Sequence, residues 1–490
     1  MKRHKAFGFI IGGVLCAAFI AGTSQAAPRQ PAIRVANFSS GEAVRFPVVL
    51  IRGEVSDAKL GVVTARNDSS KPTGQWTGLA RAGRFKVLAE LVPGANKLTI
   101  IAGASKVNLS LNYKPQTNPY VVRVHYFVDK SGDTRFQTPL KGDPQNWRGK
   151  LDTAMKLMQT FTAERLGDLG LGRRTFNLEL DDRGRVKVHI LKGRREASYY
   201  QKLTGNQLYS EAVLELKRQS PHRRAKNLVI PAFTRFDPET GKVGAHTALG
   251  GGYLALFGGG DLFSWPDSIS CAQAAFMNAT AVDPKEVFSD SVGRHTFWAN
   301  ASTTMGAALH EIGHTFGLPH SRDVQDIMTR GHDRFNRFFT LVDPPHARQK
   351  KFVEFKDNQV AYWAPVSGGA LAPNRFFALD DRVWKKGGKI TMQADLKADQ
   401  VIIESPYGLR YIGAWRITSD GQTQSIAPVL ISRREKMPRK VAIRLPELRR
   451  QLGDMKFKFR VIDDEGVSST ALLSALQAKA RSAAESKPAE

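Results

Sequence analysis

The chain has 490 residues, 42% of them hydrophobic, so it is long for one domain and rich enough to bury sizeable cores. Its 72 Lys and Arg against 45 Asp and Glu give a formal net charge of +27, which favours acidic surroundings such as cell-envelope polymers. Two cysteines exclude a disulfide framework, and no nucleic-acid-binding motif accompanies the charge.

Residues 1–26 read as a cleaved signal peptide, with an uncleaved N-terminal anchor as the rival reading. Lys2, Arg3 and Lys5 precede an apolar run from Ala6 to Ala21, and small residues lead to a cleavage site at Ala26. The run is short for a membrane span, and Gly12 and Gly13 interrupt it. No later stretch is apolar enough to span a bilayer, so a secreted, periplasmic or cell-envelope location is expected. Cys16 leaves with the leader, and Cys271 is expected to be an ordinary packed thiol.

From 32 to 115 the pattern is β throughout. Val48 to Ile51 and Val62 to Thr64 are short β-branched runs, Arg84 to Ala89 and Lys97 to Ala102 alternate, and turn residues separate them. This predicts a small β-sandwich, and the run GRFKVLAELVPGANKLTIIA resembles bacterial Ig-like modules. A Pro- and Asn-containing linker follows up to Pro119. From 120 to 365 strands and helices alternate. Val122 to Val128 reads as a strand, Leu151 to Leu169 as a helix, Val186 to Ile190 as a strand, Asn206 to Arg218 as a helix, and Leu228 to Ile230 as a buried strand. The glycine-rich run HTALGGGYLALFGGG lacks the Lys-Ser/Thr ending of a phosphate loop. From 371 to 468 β patterns return, and a second sandwich is expected. The tail, 474–490, has little to bury and should be a loose helix or disordered.

Residues 310 to 320 read HEIGHTFGLPH. Residues four apart on a helix point the same way, so His310 and His314 can hold one ion. Glu311, next to the first, reaches water at the metal rather than the metal. Gly317 can end the helix at a positive φ, and Pro319 forbids its continuation, so that His320 can swing back to the ion. Three neutral imidazoles with one open position make a catalytic Zn²⁺ site, and Glu311 is placed to act as general base. Ser302 is a candidate cap for the helix.

This motif, with Asp326-Ile327-Met328 after it, resembles the metzincin peptidases rather than gluzincins, which lack the third histidine. By that resemblance Met328 is the floor of the site, in a Met-turn. Arg330 stands where some members carry a metal-approaching tyrosine, so a tyrosine ligand is not expected. The segments HTALGGGYLALFGGGDLFSWP, HEIGHTFGLPHS and IMTRGHDRFNRFF are similar to a zinc metallopeptidase family known largely from fungal hypothetical proteins. The resemblance implies an α/β zincin-like catalytic domain, here flanked by N- and C-terminal Ig-like β-sandwiches. It also implies a protein or peptide substrate lying along the strand before the histidine helix. His246 to Phe257 is the candidate for that strand, with Gly251, Gly252, Tyr253, Leu254 and Ala255 as substrate-binding residues. His295, His332 and His346 read as loop or surface histidines. The rival function is an envelope-associated binding or adhesion protein with structural zinc, and Glu311 speaks against it, since such a protein needs no carboxylate there.

Overall fold

The computed structural model describes residues 32–418, 422–433, 437–453 and 456–486. The expected signal peptide lies outside the described residues. Among those described, no helix is long and apolar enough to cross a membrane.

The N-terminal region forms one hydrogen-bonded path of eight strands, whose ends are Ile33–Val35 and Glu42–Val44. Its strands pair antiparallel, except that Glu42–Val44 runs parallel to Ser105–Tyr113, and burial alternates along Gly94–Ala102 as a period of two requires. The inner face of this sheet does not close on itself. Its core is continuous with that of the next region and runs from Val48, Leu50 and Phe85 to Met158, Phe161 and Phe339. Polar ties cross the same boundary. Thr160 Oγ1 donates to the Val48 carbonyl at 2.7 Å, and Lys86 Nζ donates to the carbonyls of Arg337, Phe338 and Thr340 at 2.9, 3.0 and 2.7 Å.

The central sheet runs Asn177–Leu178, Val121–Val128, Ala225–Pro231, Leu254–Phe257, Ala248–Gly251. Val188–Lys192 also pairs with Val121–Val128. The pairings are parallel except at the edge, where Ala248–Gly251 runs antiparallel to Leu254–Phe257. Parallel strands covered on both faces read as continuous apolar runs. Accordingly Val124, Tyr126 and Ile230 face one core with the helix Trp147–Asp168, while Phe127, Val229 and Leu256 face another with the helix Gly205–Gln219.

A five-stranded sheet, with four of its strands beyond Pro365, is ordered His320–Ser321, Thr423–Ile431, Leu409–Ile417, Phe457–Asp463, Ser468–Leu472. A three-stranded sheet of Thr391–Asp395, Gln400–Glu404 and Lys440–Arg444 packs with it around a second core containing Val401, Ile412 and Phe459. In the tail, residues Leu473–Glu485 are helical and mostly exposed.

The expected architecture, an α/β zincin-like catalytic domain flanked by separate Ig-like sandwiches, is therefore corrected. The chain is mostly β-sheet. Its first eight strands form a single path that shares its core with the helices, and its last sheet takes in a strand from the histidine motif. The reason is that alternation reports local strand content, whereas sheet membership is set by distant partners. Cys271 is also corrected, because it is exposed rather than packed.

Candidate metal centre

The helix Phe297–Thr315 carries the motif. It begins at the extended residue Thr296, earlier than expected. Ser302, read from sequence as a cap, lies inside the helix and donates to the carbonyl of Asp333 and to Asn336 Oδ1 at 3.1 and 2.9 Å. Nearly every residue of the helix is buried, and its small residues admit close neighbours. A Cβ on Gly306 would sit 2.2 Å from the His332 carbonyl oxygen, and one on Gly313 would sit 2.5 Å from Met328 Sδ. Met328 is fully buried, so its sulfur lies against the helix between His310 and His314.

Gly317 ends the helix at φ +83°, with its N–H donating to the His314 carbonyl at 2.9 Å. The chain then turns, and His320–Ser321 pairs in parallel with Gln424 and Ser425. Ser321 N–H donates to the Met328 carbonyl at 3.0 Å, and Thr329 Oγ1 donates to the Ser321 carbonyl at 2.6 Å. The third histidine is thus held between the methionine loop and the C-terminal sheet. Asp326 shapes that loop, accepting from Met328 N–H at 3.1 Å and from Ser367 Oγ at 2.6 Å.

The ligand atoms of His310, His314 and His320 lie within 4.8 Å of one another. His310 Nδ1 donates to the Ile327 carbonyl and His314 Nδ1 to the Leu318 carbonyl, each at 2.7 Å. These bonds fix the tautomer, so each neutral ring turns a bare Nε2 inward, and the two Nε2 atoms stand 3.0 Å apart. Two acceptor lone pairs at that distance repel unless a cation lies between them. Burial, and then the neighbouring imidazole of His314, holds His310 well below its usual range, and burial brings His314 down to about 4, so both rings are in the metal-binding form. The donor set therefore fits one zinc ion.

Glu311 is buried beside these rings, and its carboxylate accepts no hydrogen bond among the described residues. Burial pushes it up to about 8. Arg330 pairs with Asp333 at 2.7 Å. His332, read as a loop histidine, is instead mostly buried, with its ring 5.4 Å from that of His310. Nothing in its spacing from the motif could have shown this, because a short 3₁₀ turn at Arg330–Arg334 folds it back under the helix.

The predicted substrate strand is a hairpin. Gly251 ends the edge strand, Gly252 and Tyr253 form the turn, and Leu254 and Ala255 lie on the inner strand, fully buried. Leu254 and Ala255 therefore present no surface to a substrate, which corrects their reading, and the accessible part is Ala248–Gly251. Tyr209 Oη donates to the carbonyls of Gly251 and Leu254 at 3.0 and 3.2 Å, and Lys226 Nζ donates to that of Gly252 at 2.6 Å. Neither residue was singled out from sequence, since both act from distant elements.

One buried carboxyl beside the helix has no role in holding metal. Asp261 Oδ1 accepts from Asp290 N–H at 3.2 Å, while Oδ2 has no partner among the described residues. Burial, then the charge of Asp290, pushes Asp261 up to about 8. A carboxyl raised in the folded state binds its proton more tightly there than when unfolded. Its stabilisation is present below about pH 4 and lost as pH rises toward 8. Asp261→Asn should track the wild-type melting temperature in acid and exceed it increasingly between pH 5 and 8. Parallel melting curves across that range would refute the assignment.

Residues 32–402 match a family model described as "Putative peptidase family". A putative zinc metalloproteinase of Schizosaccharomyces pombe is 30% identical over 332 residues, covering 62% of this chain and 53% of the relative. One from Saccharomyces cerevisiae is 28% identical over 292 residues, covering 52% and 42%. The chain thus spans about half the length of the curated relatives it matches. Among solved structures, wild-type OgpA from Akkermansia muciniphila aligns at 14% identity and a TM-score of 0.46, over 73% of this chain and 92% of that one.

Proposed function

The chain belongs to this putative peptidase family, and from that premise we propose that it is a zinc-dependent endopeptidase with His310, His314 and His320 as ligands and Glu311 as general base. The observation that carries the reading is the pair of inward Nε2 atoms, 3.0 Å apart, with a buried carboxylate on the adjacent residue.

A zinc ion in this nest supplies Lewis acidity, polarising a carbonyl and lowering the pKa of water toward about 7. The protein's own groups do the rest. The Ile327 and Leu318 carbonyls orient two imidazoles. Glu311, held in a poorly hydrated pocket, takes a proton from water and returns it to the leaving amine. The edge strand Ala248–Gly251 offers unpaired backbone groups along which an extended peptide can add as a further strand. The ligand spacing and the Met328 sulfur under the helix support a metzincin-type site chemistry. The basic and apolar leader read in residues 1–26 supports export to the envelope or medium.

The test is metal content together with cleavage of a denatured protein mixture by the purified mature chain. About one zinc per chain is expected, with cleavage abolished by a chelator and restored by added zinc. A zinc-loaded chain that cleaves none of the mixture would favour the binding-protein reading, and a chain that takes up no zinc would remove the proposal.

A further inference from the structure

A cavity of about 190 Å³ lies where the C-terminal sheet meets the helix-bearing region. Four guanidiniums from four separate segments line it. Arg174 follows the helix Trp147–Asp168, Arg382 precedes the three-stranded sheet, Arg410 lies on Leu409–Ile417, and Arg433 lies just past Thr423–Ile431. The one acid in the wall, among the described residues, is Asp464, which accepts from Arg410 Nε at 2.6 Å. Arg382 is paired at 2.7 Å with Glu465. Arg433 donates at 2.6 Å to the carbonyl of Leu169, a neutral partner. Arg174 donates its side-chain protons to no described residue. Trp384 Nε1 is buried without an acceptor among the described residues, and the guanidiniums of Arg375 and Arg382 lie 5.1 and 4.6 Å from the centre of its ring.

Among the described residues, two carboxylates thus answer four guanidiniums around one small void, and neither pairs with Arg174 or Arg433. Guanidinium does not shed its proton, so this repulsion cannot be relieved by titration. Burial, and then repulsion from Arg410, lowers the Arg174 pKa, as an under-neutralised cluster requires. The lining guanidiniums come from four separate segments, whereas a planar carboxylate is satisfied by one bidentate arginine. A tetrahedral anion with several acceptor oxygens suits such a wall better. The site is remote from the metal centre. The strand Thr423–Ile431 pairs with His320–Ser321 at Gln424 and Ser425, and its other end, Ile431, lines the cavity about 20 Å away at ordinary strand rise.

We propose that this cavity binds a tetrahedral oxyanion, a sulfate or phosphate group, through Arg174, Arg433 and the Trp384 indole N–H.

Sodium sulfate titrated calorimetrically into the full mature chain, at constant ionic strength held with chloride, tests this. One saturable site is expected. Arg174→Gln and Arg433→Gln should each weaken it about tenfold or more. Arg223→Gln, an equal charge change at an exposed position, should leave it unaltered. Inorganic phosphate should compete with sulfate, and acetate should not. Melting temperatures of the same samples report folding. Should Arg433→Gln unfold, Arg174→Gln carries the test, since its side chain makes no hydrogen bond to a described residue. Binding that never saturates, or that Arg223→Gln weakens as much, would overturn the site. Equal competition by acetate would overturn the preference for a tetrahedral ligand.

Discussion

Replacing Glu311 by glutamine is expected to lower peptide hydrolysis by about 10³-fold while leaving zinc content at wild-type level. The amide keeps the size of the carboxylate but cannot accept a proton from water. The ligands should not notice the change, because their orientation comes from backbone carbonyls. His310 is aimed by Ile327 and His314 by Leu318, while the His320 strand is held by Met328 and by residues 424 and 425. The carboxylate makes no hydrogen bond to any of these groups. Burial raises Glu311 to about 8, so the metal-free folded chain loses stability as pH rises from about 4.5 toward 8, and the glutamine variant does not share that loss. The metal-free variant should therefore melt no lower than the metal-free wild type at pH 8. The measurement is turnover of a mapped peptide alongside zinc analysis of both proteins. Activity within tenfold of wild type would remove Glu311 as the base. Loss of zinc together with activity would make it a residue that shapes the site rather than one that moves the proton.

The metal centre was legible in the sequence because its determinants are local. His310 and His314 are four apart on a helix, Gly317 breaks that helix with the expected positive φ, and His320 follows within a few residues. Strand content was legible for a similar reason, since alternation along Arg84–Glu90 and Gly94–Ala102 is written in consecutive residues. What could not be read depends on distant partners. His320–Ser321 is two residues long, too short for any period, and it is a strand because Thr423–Ile431 lies beside it. Lys86 looks like an ordinary strand lysine, yet three carbonyls more than two hundred residues away receive its protons. His332 looked like a loop residue because Gly306, which lets its backbone approach the helix, is far from it in sequence. The flanking regions were read as separate modules for the same reason: a pattern shows that a face is apolar, not what covers it.

Gly250→Ala should reduce kcat/KM by about 10²-fold with zinc retained, the second large effect expected at this site. Gly250 lies in the edge strand Ala248–Gly251, directly against the backbone of Glu311, the proposed base. An added Cβ would stand 2.3 Å from the Glu311 carbonyl oxygen and 2.9 Å from its Cα. Those are backbone atoms of a buried helix, and they cannot rotate aside as a side chain would. Either the strand or the helix must give way by several tenths of an ångström. Both movements are harmful, because the strand is the surface proposed to align the peptide and the helix carries the proposed general base. Overpacking of this kind also costs about 1–3 kcal/mol, so the melting temperature should fall, in contrast to Glu311→Gln. The ligands are spared, since the clash is at residue 311 and the imidazoles are anchored from the far side by Ile327 and Leu318. The two variants therefore separate two roles that a simple loss of activity would confuse. Glutamine at 311 removes the proton acceptor in an undisturbed frame, and alanine at 250 disturbs the frame around an intact acceptor. Full activity in Gly250→Ala would mean that the strand is free to move and does not position the substrate. Loss of zinc in that variant would mean that the strand supports the ligand helix as a whole.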